Sequence, residues 1–486
     1  MVPNKTTALS KKASPKGTKK SLAQEPRKDA ARSRASRAEE VESLYLAHVN
    51  DLIARGSEVL TRLGIDRLVI HSGSPLRRTT FDDQFWPLRP NPHFQHWFPL
   101  SQAGACLLIA PGKKPKLMWP AIPNFWESPG TAPNDYYANV FAVERPTSAK
   151  AAQDTVKRFI SGKKKAFVGD DLRAARDLGF SAPEVNAPRL VRELDRLRVE
   201  KTDYEIFCLR EANRIAAKGH DELLRAFESG DASELELHLL YLRLTEQDDP
   251  ETPYKNIVAL GESAATLHHD HYNKNREPKT ADTLLLDAGA TFLGYCSDIT
   301  RTWVKGTGAT ASAFKGLVDE METMQKKLCD DVVVGKKYEV LHDDSHRGVS
   351  RILSQSGIVK LSPEETYKAG ISRAFYPHGL GHSLGLVCHD VGCALIKPRP
   401  ENPFLRNTTT MAPRQCFTIE PGLYFIEPLL AKLKESKHGT KVNWKLVEAL
   451  SPLGGIRIED DIVVTAGEER IDNLTRDYLP VGGASV

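Results

Sequence analysis

Tyr376-Pro-His-Gly-Leu-Gly-His-Ser-Leu-Gly-Leu-Val-Cys-His-Asp390 is the stretch from which the rest of the chain can be interpreted. It holds three histidines, His378, His382 and His389, with glycines between them. Two histidines four residues apart would share one face of a helix, as in many zinc sites. Glycine inside a helix, however, costs about 1 kcal/mol relative to alanine. We therefore predict a strand or loop whose backbone packs closely against a neighbouring segment, because glycine leaves room for such an approach.

Length and composition limit the class of protein. The chain has 486 residues, more than one typical domain, so we expect two domains. Its 40% hydrophobic and 27% charged residues are ordinary for a globular protein. No apolar run approaches the ~20 residues of a membrane span, and the first part of the chain lacks the hydrophobic segment of a signal peptide. Seven scattered cysteines without CxxC spacing indicate reduced thiols in a cytoplasmic protein.

Residues 1–38 form a basic extension. They contain eleven Lys and Arg residues and two acidic ones, a net charge of +9, which leaves −5 for the rest of a chain whose total is +4. They hold almost no large apolar side chains, so we predict disorder. A targeting peptide, a nucleic-acid tail or an anionic-surface tether would share this composition, but a plain solvated extension is the simpler interpretation. The mildly acidic body gives no reason to expect a nucleic-acid partner.

Two further regions follow the extension. Residues 39–189 alternate short strands with helices, which is typical of an α/β domain. Within them, Phe81–Trp97 mixes aromatic, proline and polar residues without a clear period, and is interpreted as either a surface loop or part of a pocket wall. Residues 190–482 begin with helical patterns and turn to strands interleaved with a few helices. This pattern predicts an α+β domain with a mostly antiparallel sheet.

The segment Leu284–Arg301 predicts a hairpin that carries two aspartates. Asp287 and Asp298 lie near mirror positions about its turn, so we expect them side by side on adjacent strands. Two ionised carboxylates at roughly 5 Å across a strand pair repel each other. Burial beside an apolar run increases that cost unless a cation lies between them. Capping of the turn would explain one aspartate but not both.

Two glutamates extend this set. Glu420 follows an apolar strand pattern and precedes Pro-Gly. Alternation over Ile456–Asp461 places Arg457 and Glu459 on one face, and an ordinary salt bridge on a solvated face is the alternative for this pair. Four carboxylates and one imidazole form a hard, oxygen-rich ligand set, which suits Mn²⁺ better than a thiol-bound structural zinc. So many carboxylates able to bridge favour two ions that share a hydroxide.

These motifs resemble the pita-bread metallopeptidases of the methionine aminopeptidase and prolidase superfamily. More narrowly, they are similar to bacterial Xaa-Pro dipeptidases and the related organophosphorus acid anhydrolases. The resemblance spans residues 41–480 and is carried by Asp249–Leu260, Leu284–Thr302, Phe375–Val391, Thr418–Ile426 and Leu453–Val463. It implies an N-terminal α/β domain, a C-terminal pita-bread (creatinase/aminopeptidase) domain, two divalent ions, usually Mn²⁺, and a homodimer.

The resemblance also implies roles for individual residues. The metal ligands would be Asp287, Asp298, His382, Glu420 and Glu459, with Asp298 and Glu459 as bridges. The catalytic residues would be Glu420, a proton shuttle, and His378 and His389, near the scissile carbonyl and the oxyanion. The substrate-binding residues would be His268, Arg406, Tyr254 and Asp83, to which we add Arg457. Arg406 would engage the dipeptide carboxylate, and Asp83 would reach a neighbouring subunit's site.

The implied activity is hydrolysis of Xaa-Pro dipeptides by a hydroxide shared between the two ions. An aminopeptidase P-like activity on longer peptides is an alternative within the same class, disfavoured by Arg406. A metal-free pita-bread scaffold for binding is another alternative, disfavoured because all five ligands are present. Hydrolysis of organophosphate triesters is an implied side activity, since the same hydroxide can attack phosphorus. Departures from the subgroup at Ser383, Cys388 and Cys393 bear on pocket shape, metal preference and redox sensitivity.

Overall fold

The structure is a computed structural model that describes residues 34–126, 133, 136–276, 281–393 and 396–485. Its helices are α1 (Arg34–Leu63), α2 (Pro92–Gln95), α3 (Tyr136–Val140), α4 (Ala149–Ile160), α5 (Leu172–Asp177), α6 (Pro188–Val199), α7 (Asp203–Ser229), α8 (Glu234–Thr245), α9 (Ala309–Asp330), α10 (Tyr338–Gln355), α11 (Pro363–Lys368), α12 (Ser372–Phe375), α13 (Glu427–Glu435) and α14 (Trp444–Leu450). Its strands are β1 (Arg67–His71), β2 (Cys106–Ile109), β3 (Lys116–Met118), β4 (Ala142–Glu144), β5 (Lys165–Val168), β6 (Ile257–Leu260), β7 (Ala281–Asp287), β8 (Thr291–Phe292), β9 (Tyr295–Cys296), β10 (Thr300–Gly306), β11 (Cys416–Ile419), β12 (Gly422–Tyr424), β13 (Gly455–Arg457), β14 (Asp460–Val464), β15 (Ile471–Asn473) and β16 (Gly483–Ser485).

The predicted basic extension falls mostly outside the described residues. From Arg34 onward the chain is helical, so the last five residues assigned to the extension belong to α1. The predicted boundary at residue 190 falls near the start of α6, whose buried leucines pack with α1 in one apolar core. None of the helices in the described ranges is long and apolar enough to cross a membrane.

The N-terminal domain is a mixed five-stranded sheet in the order β4-β3-β2-β1-β5. The long helix α1 packs on it through apolar residues at helical spacing, and the hydroxyl of the buried Tyr45 donates to the Trp97 carbonyl at 2.7 Å. The aromatic segment that follows β1 divides into two parts. Residues 81–86 are exposed, whereas Phe94, Trp97 and Phe98 are buried in the core. Arg89, Pro90 and Gln95 line a cavity, so the surface-loop and pocket-wall interpretations each hold for part of the segment.

The C-terminal domain surrounds the histidine-rich stretch with small sheets. Their orders are β16-β10-β7-β6, β11-β14-β15, β12-β13 and β8-β9. As predicted, pairing is mostly antiparallel, and among the described strands of this domain only β10 and β16 pair in parallel. The core that contains α1 and α6 also includes Leu384 and Leu386, so the histidine-rich stretch lies where the two domains meet.

The apolar pattern predicts one continuous strand over residues 295–304 and another over residues 456–464; both are broken, and each break carries a carboxylate. Residues 295–304 form β9 and β10 with Asp298 between them, and residues 456–464 form β13 and β14 with Glu459 between them. The prediction that Asp298 lies on a strand opposite Asp287 is therefore wrong, because Thr300 occupies that register. The Asp298 amide instead donates to Asp461 Oδ2 at 3.0 Å.

Candidate active site and metal centre

One cavity of about 1210 Å³ in the C-terminal domain brings the predicted ligands together. The five predicted metal ligands Asp287, Asp298, His382, Glu420 and Glu459 all line it. Tyr254, His268, His378, His389, Arg406 and Arg457 line it as well. Asp83 is the one predicted site residue that does not, since it lies in the exposed segment 81–86 of the N-terminal domain. Its predicted contact with a neighbouring subunit stays a prediction.

Three of the ligands form the centre of the group. His382 Nε2 lies 3.3 Å from Asp298 Oδ2 and 3.6 Å from Glu420 Oε1. Ligand atoms of Asp298, His382 and Glu459 all lie within 4.8 Å of one another. The Thr300 hydroxyl donates to Glu459 Oε2 at 2.6 Å, which fixes the second carboxylate oxygen. Ligand atoms from three distant segments of the chain thus lie close enough together to bind one metal ion.

The glycines of the histidine-rich stretch allow its backbone to approach β11. A Cβ on Gly381 would lie 2.2 Å from the Thr418 carbonyl oxygen, so no larger residue fits there. The His382 amide donates to Thr418 Oγ1 at 3.1 Å, and the Glu420 amide donates to the Leu380 carbonyl at 2.8 Å. The prediction of a loop packed closely against a neighbouring segment is confirmed, and this packing holds His382 beside Glu420.

A second group of contacts links Asp287 to His378. Arg457 Nη2 donates to Asp287 Oδ2 at 2.6 Å, and Nη1 donates to the Tyr424 hydroxyl at 2.9 Å. His378 Nδ1 must donate to the Gly379 carbonyl, so its Nε2, 2.8 Å from the Tyr424 hydroxyl, accepts. Arg457 is only 4% exposed, and therefore the alternative of a salt bridge on a solvated face is wrong.

Arg457 was predicted to bind substrate. Its third donor, Nε, lies 3.2 Å from Thr300 Oγ1, so all three arms of the guanidinium have partners inside the protein. The Tyr254 hydroxyl likewise donates to Asp287 Oδ1 at 2.7 Å. Both side chains line the cavity and position Asp287, and a direct contact with substrate stays a prediction for each.

The charges of the cluster are poorly balanced by protein groups alone. Burial raises the pKa of Glu420 to about 7, and burial together with Asp298 and Glu420 raises the pKa of Glu459 far above its usual range. Burial also raises the pKa of Asp287. The Arg457 charge lowers this pKa and the Asp298 charge raises it, and the net shift is upward. Burial alone would lower the pKa of His382, but its hydrogen bond to Asp298 and the Glu420 charge raise it to about 9.

This arrangement fits divalent cations. The raised pKa values of Glu420, Glu459 and His382 all mean that the cluster favours added positive charge. Buried carboxylates in contact need either protons or cations to compensate their charge, and divalent cations do so without neutralising the carboxylates by protonation. The donors are four carboxylates and one imidazole, the hard set that suits Mn²⁺ and similar ions.

His389 and Arg406 lie at the rim of the centre. The rings of His382 and His389 are perpendicular with centroids 4.4 Å apart. Arg406 is exposed, and its Nη1 donates to His389 Nδ1 at 3.4 Å, which leaves the other ring nitrogen of His389 to carry the proton. Burial and the neighbouring His382 and Arg406 lower the pKa of His389 to about 4, so the ring is neutral at pH 7. His268 is exposed at the same rim.

Asp390 anchors the loop that carries His382 and His389. It is fully buried and forms ion pairs with Arg198 of α6 and with Lys201, whose Nζ lies 3.1 Å from Asp390 Oδ2. Its amide donates to the Ser383 carbonyl at 2.9 Å, which closes the loop. Charges at the start of the C-terminal domain thereby fix the position of the histidines.

We expect Asp390→Asn to destabilise the protein by about 3–5 kcal/mol at pH 7, because two buried cations lose their partner. Burial opposes ionisation of Asp390, but Arg198 and Lys201 outweigh it and lower its pKa. Because the pKa of Asp390 is lower in the folded protein than its unfolded value of about 3.9, its ionisation stabilises the fold at pH values above about 3.9. This stabilisation is lost as the pH falls through the folded-state pKa. Urea unfolding should therefore show a large difference between variant and wild type at pH 7 and a smaller one below about pH 4. An equal difference at both values would contradict the ion-pair account, and Asp154→Asn, on an exposed pair with Lys150, is the control.

Sequence interpretation missed several residues of this site. Tyr424 lies within an apolar strand pattern, where a tyrosine is indistinguishable from a core residue. Thr300 and Thr418 orient Glu459 and Glu420, and threonine is common in any strand. Asp390 directly follows His389, and this adjacency was the one signal that could have identified it.

The fold can be compared with solved structures. Aminopeptidase PepP of Pseudomonas aeruginosa superposes with a TM-score of 0.68 at 21% identity, covering 91% of this chain and 96% of that one. Proline aminopeptidase P II of Yersinia pestis gives 0.67 at 22% identity, covering 89% and 96%. These likenesses confirm the predicted class, an N-terminal α/β domain followed by a pita-bread domain.

Fold and site together define a metal-dependent peptidase. Residues 208–466 match the model of metallopeptidase family M24, and the chain belongs to that family. Residues 43–195 match the model of the Xaa-Pro dipeptidase N-terminal domain. The Xaa-Pro dipeptidase of Pseudoalteromonas atlantica is 39% identical over 447 residues, covering 90% of this chain and 99% of that protein. The Xaa-Pro dipeptidase of Shewanella woodyi is 38% identical over 441 residues, covering 89% and 98%.

Proposed function

We propose that this enzyme hydrolyses Xaa-Pro dipeptides with two divalent ions, most simply Mn²⁺, held by Asp287, Asp298, His382, Glu420 and Glu459. The supporting observation is that all five side chains line one cavity with Arg406 and His389 at its rim. When bound, two such ions would acidify a water molecule and polarise the amide carbonyl. The relatives named Xaa-Pro dipeptidase support the choice of substrate.

In this proposal Glu420, His389 and His378 each have a separate role in the reaction. Glu420, 3.6 Å from His382, is the carboxylate we assign to take the proton of the attacking water and pass it to the proline nitrogen. That nitrogen carries no hydrogen in the Xaa-Pro bond, so it must receive one to leave as an amine. His389, neutral and with one N–H free of Arg406, donates to the developing oxyanion. His378 is held by Tyr424 and Gly379 beside Glu420, with Nδ1 3.7 Å from Glu420 Oε2.

Substrate length depends on Arg406 in this proposal. An exposed guanidinium at the cavity rim can pair with a carboxylate that directly follows the scissile bond, and this pairing selects dipeptides. An aminopeptidase P-like enzyme would accept longer peptides with equal ease. Hydrolysis of organophosphate triesters requires the same nucleophile and stays a prediction.

We expect Arg406→Ala to lower kcat/KM for Leu-Pro by about 10- to 100-fold, since a hydrogen bond to a charged group contributes roughly 1.5–3 kcal/mol. Most of the loss should appear in KM. Leu-Pro amide, which lacks the carboxylate, serves as the matched control substrate and should lose little. A similar loss on both substrates, or wild-type cleavage of Leu-Pro-Gly as fast as of Leu-Pro, would contradict the dipeptide assignment.

We further propose a homodimer in which the exposed segment 81–86 faces the partner. Phe81 is 97% exposed, and Phe85 and Trp86 are about half exposed beside Asp83. Large aromatic side chains clustered on a surface are typical of an interface. Light scattering of the purified protein should give twice the monomer mass, and Phe81→Ser with Trp86→Ser should shift it toward the monomer. A monomeric wild type would contradict the proposal.

A further inference from the structure

Cys388 occupies an unusual place beside the metal cavity. It lines both that cavity and a second one of about 1480 Å³ between the domains, whereas the other six cysteines are buried. Its thiol donates to Asp298 Oδ2 at 3.0 Å. A cysteine that lines two cavities thus has its sulfur in direct contact with a carboxylate of the centre.

Two imidazoles surround this sulfur. His382, Cys388 and His389 each offer a ligand atom, and the three atoms lie within 4.8 Å of one another. His382 Nδ1 faces the Ser383 carbonyl at 3.1 Å and must donate to it, so Nε2 is the nitrogen available to an ion. On His389, the Arg406 contact is long at 3.4 Å and comes from an exposed side chain, so an incoming ion can displace it.

The donor chemistry of this triad differs from that of the carboxylate centre. Two imidazoles and a thiolate are ligands that Zn²⁺ and other thiophilic ions prefer, while carboxylates suit Mn²⁺ and Mg²⁺. The two sets share His382, because its Nε2 also lies 3.3 Å from Asp298 Oδ2. An ion bound by one set therefore deprives the other of a ligand.

We propose that His382, Cys388 and His389 form a second metal site, for thiophilic divalent ions such as Cd²⁺ and Zn²⁺, that overlaps the carboxylate centre. Cys388 binds as the thiolate and releases its proton to solvent. An ion in this site occupies both His382 and His389. His382 then no longer serves the carboxylate centre, and His389 no longer donates to the substrate carbonyl, so the ion inhibits the enzyme. The inhibition rests on the proposed function, whereas the binding does not.

Binding is tested by adding CdCl₂ to the reduced, chelator-treated full-length protein. We expect a thiolate-to-cadmium charge-transfer absorption in the ultraviolet that saturates at one equivalent. Cys388→Ala should lack it and bind Cd²⁺ about tenfold or more weakly, as loss of even a supporting contact costs 10- to 100-fold. Cys393→Ala should keep it, because the Cys393 thiol is buried and contacts the Asp390 carbonyl. No absorption in the wild type, or an undiminished one in Cys388→Ala, would overturn the site.

Inhibition is tested separately on the Mn²⁺-loaded enzyme with Leu-Pro. Each protein is compared with its own uninhibited rate, and we expect Cys388→Ala to need about tenfold or more Cd²⁺ for half inhibition. Equal sensitivity of both proteins would overturn the inhibitory role. If the wild type fails to cleave Leu-Pro at all, the proposed function fails, while the absorption measurement still decides whether the site exists.

Discussion

Asp298→Asn is expected to abolish Leu-Pro hydrolysis while leaving the fold intact. Asp298 is 4% exposed, contacts both His382 and Cys388, and lies at the centre of the carboxylate cluster. Asparagine has nearly the same shape but lacks the charge that two adjacent cations require. Metal ions contribute several kcal/mol to the transition state, and about 1.4 kcal/mol is tenfold in rate. We therefore expect kcat/KM to fall by about 10³-fold or more.

The matched control for this variant is Asp282→Asn. Asp282 lies at the opposite end of β7 from Asp287, is equally buried, and pairs with Arg276 at 2.9 Å without lining the metal cavity. Its replacement should lower stability but preserve activity at temperatures where the variant is folded. Circular dichroism checks the fold of both variants. Near-normal turnover by Asp298→Asn would refute its role as a ligand.

Arg457→Met is expected to have the second largest effect. The arginine is buried and donates to Asp287, Tyr424 and Thr300, and among the residues that the structure describes it is the one positive side chain paired with Asp287. Methionine fills similar space without charge or donors, so Asp287 is left buried and uncompensated. Removing one partner of a buried ion pair costs about 3–5 kcal/mol, and the misplaced Asp287 should lower activity at least tenfold, by about 1.4 kcal/mol or more.

The metal dependence of this loss makes the prediction specific. In the presence of a chelator the variant should show the full loss of stability relative to the wild type. With Mn²⁺ this loss should be smaller, because bound cations compensate the charge of Asp287. Thermal unfolding in the two conditions measures this difference. Arg399→Met is the control, because the Arg399 side chain is about half exposed where it pairs with Asp343 and Glu339, and it should cost less than about 1 kcal/mol. An identical loss with and without Mn²⁺ would argue against a cation beside Asp287.

Much of the fold was predictable because its elements are local. Apolar spacing and turn residues were sufficient to predict alternating strands and helices over residues 39–189, and helices followed by a mostly antiparallel sheet over residues 190–482. Glycines among the histidines indicated a closely packed loop, and the structure supplies the reason in the contact of Gly381 with Thr418.

Long-range geometry was not predictable in the same way. The breaks at Asp298 and Glu459 leave no trace in the sequence, because apolar residues such as Ile299 and Ile458 are buried on either side and continue the strand pattern. Arg198 and Asp390 are 192 positions apart, and only folding brings them together. The link from Asp287 through Arg457 and Tyr424 to His378 likewise joins three distant segments.

The dinuclear site is tested by the amount of Mn²⁺ bound per chain, measured by elemental analysis after equilibrium dialysis of the reduced full-length protein. We expect two ions per chain in the wild type, fewer in Asp298→Asn, and loss of Leu-Pro hydrolysis when a chelator removes them. A protein that binds no Mn²⁺, or that hydrolyses Leu-Pro at full rate after the metal has been removed, would contradict the dinuclear site.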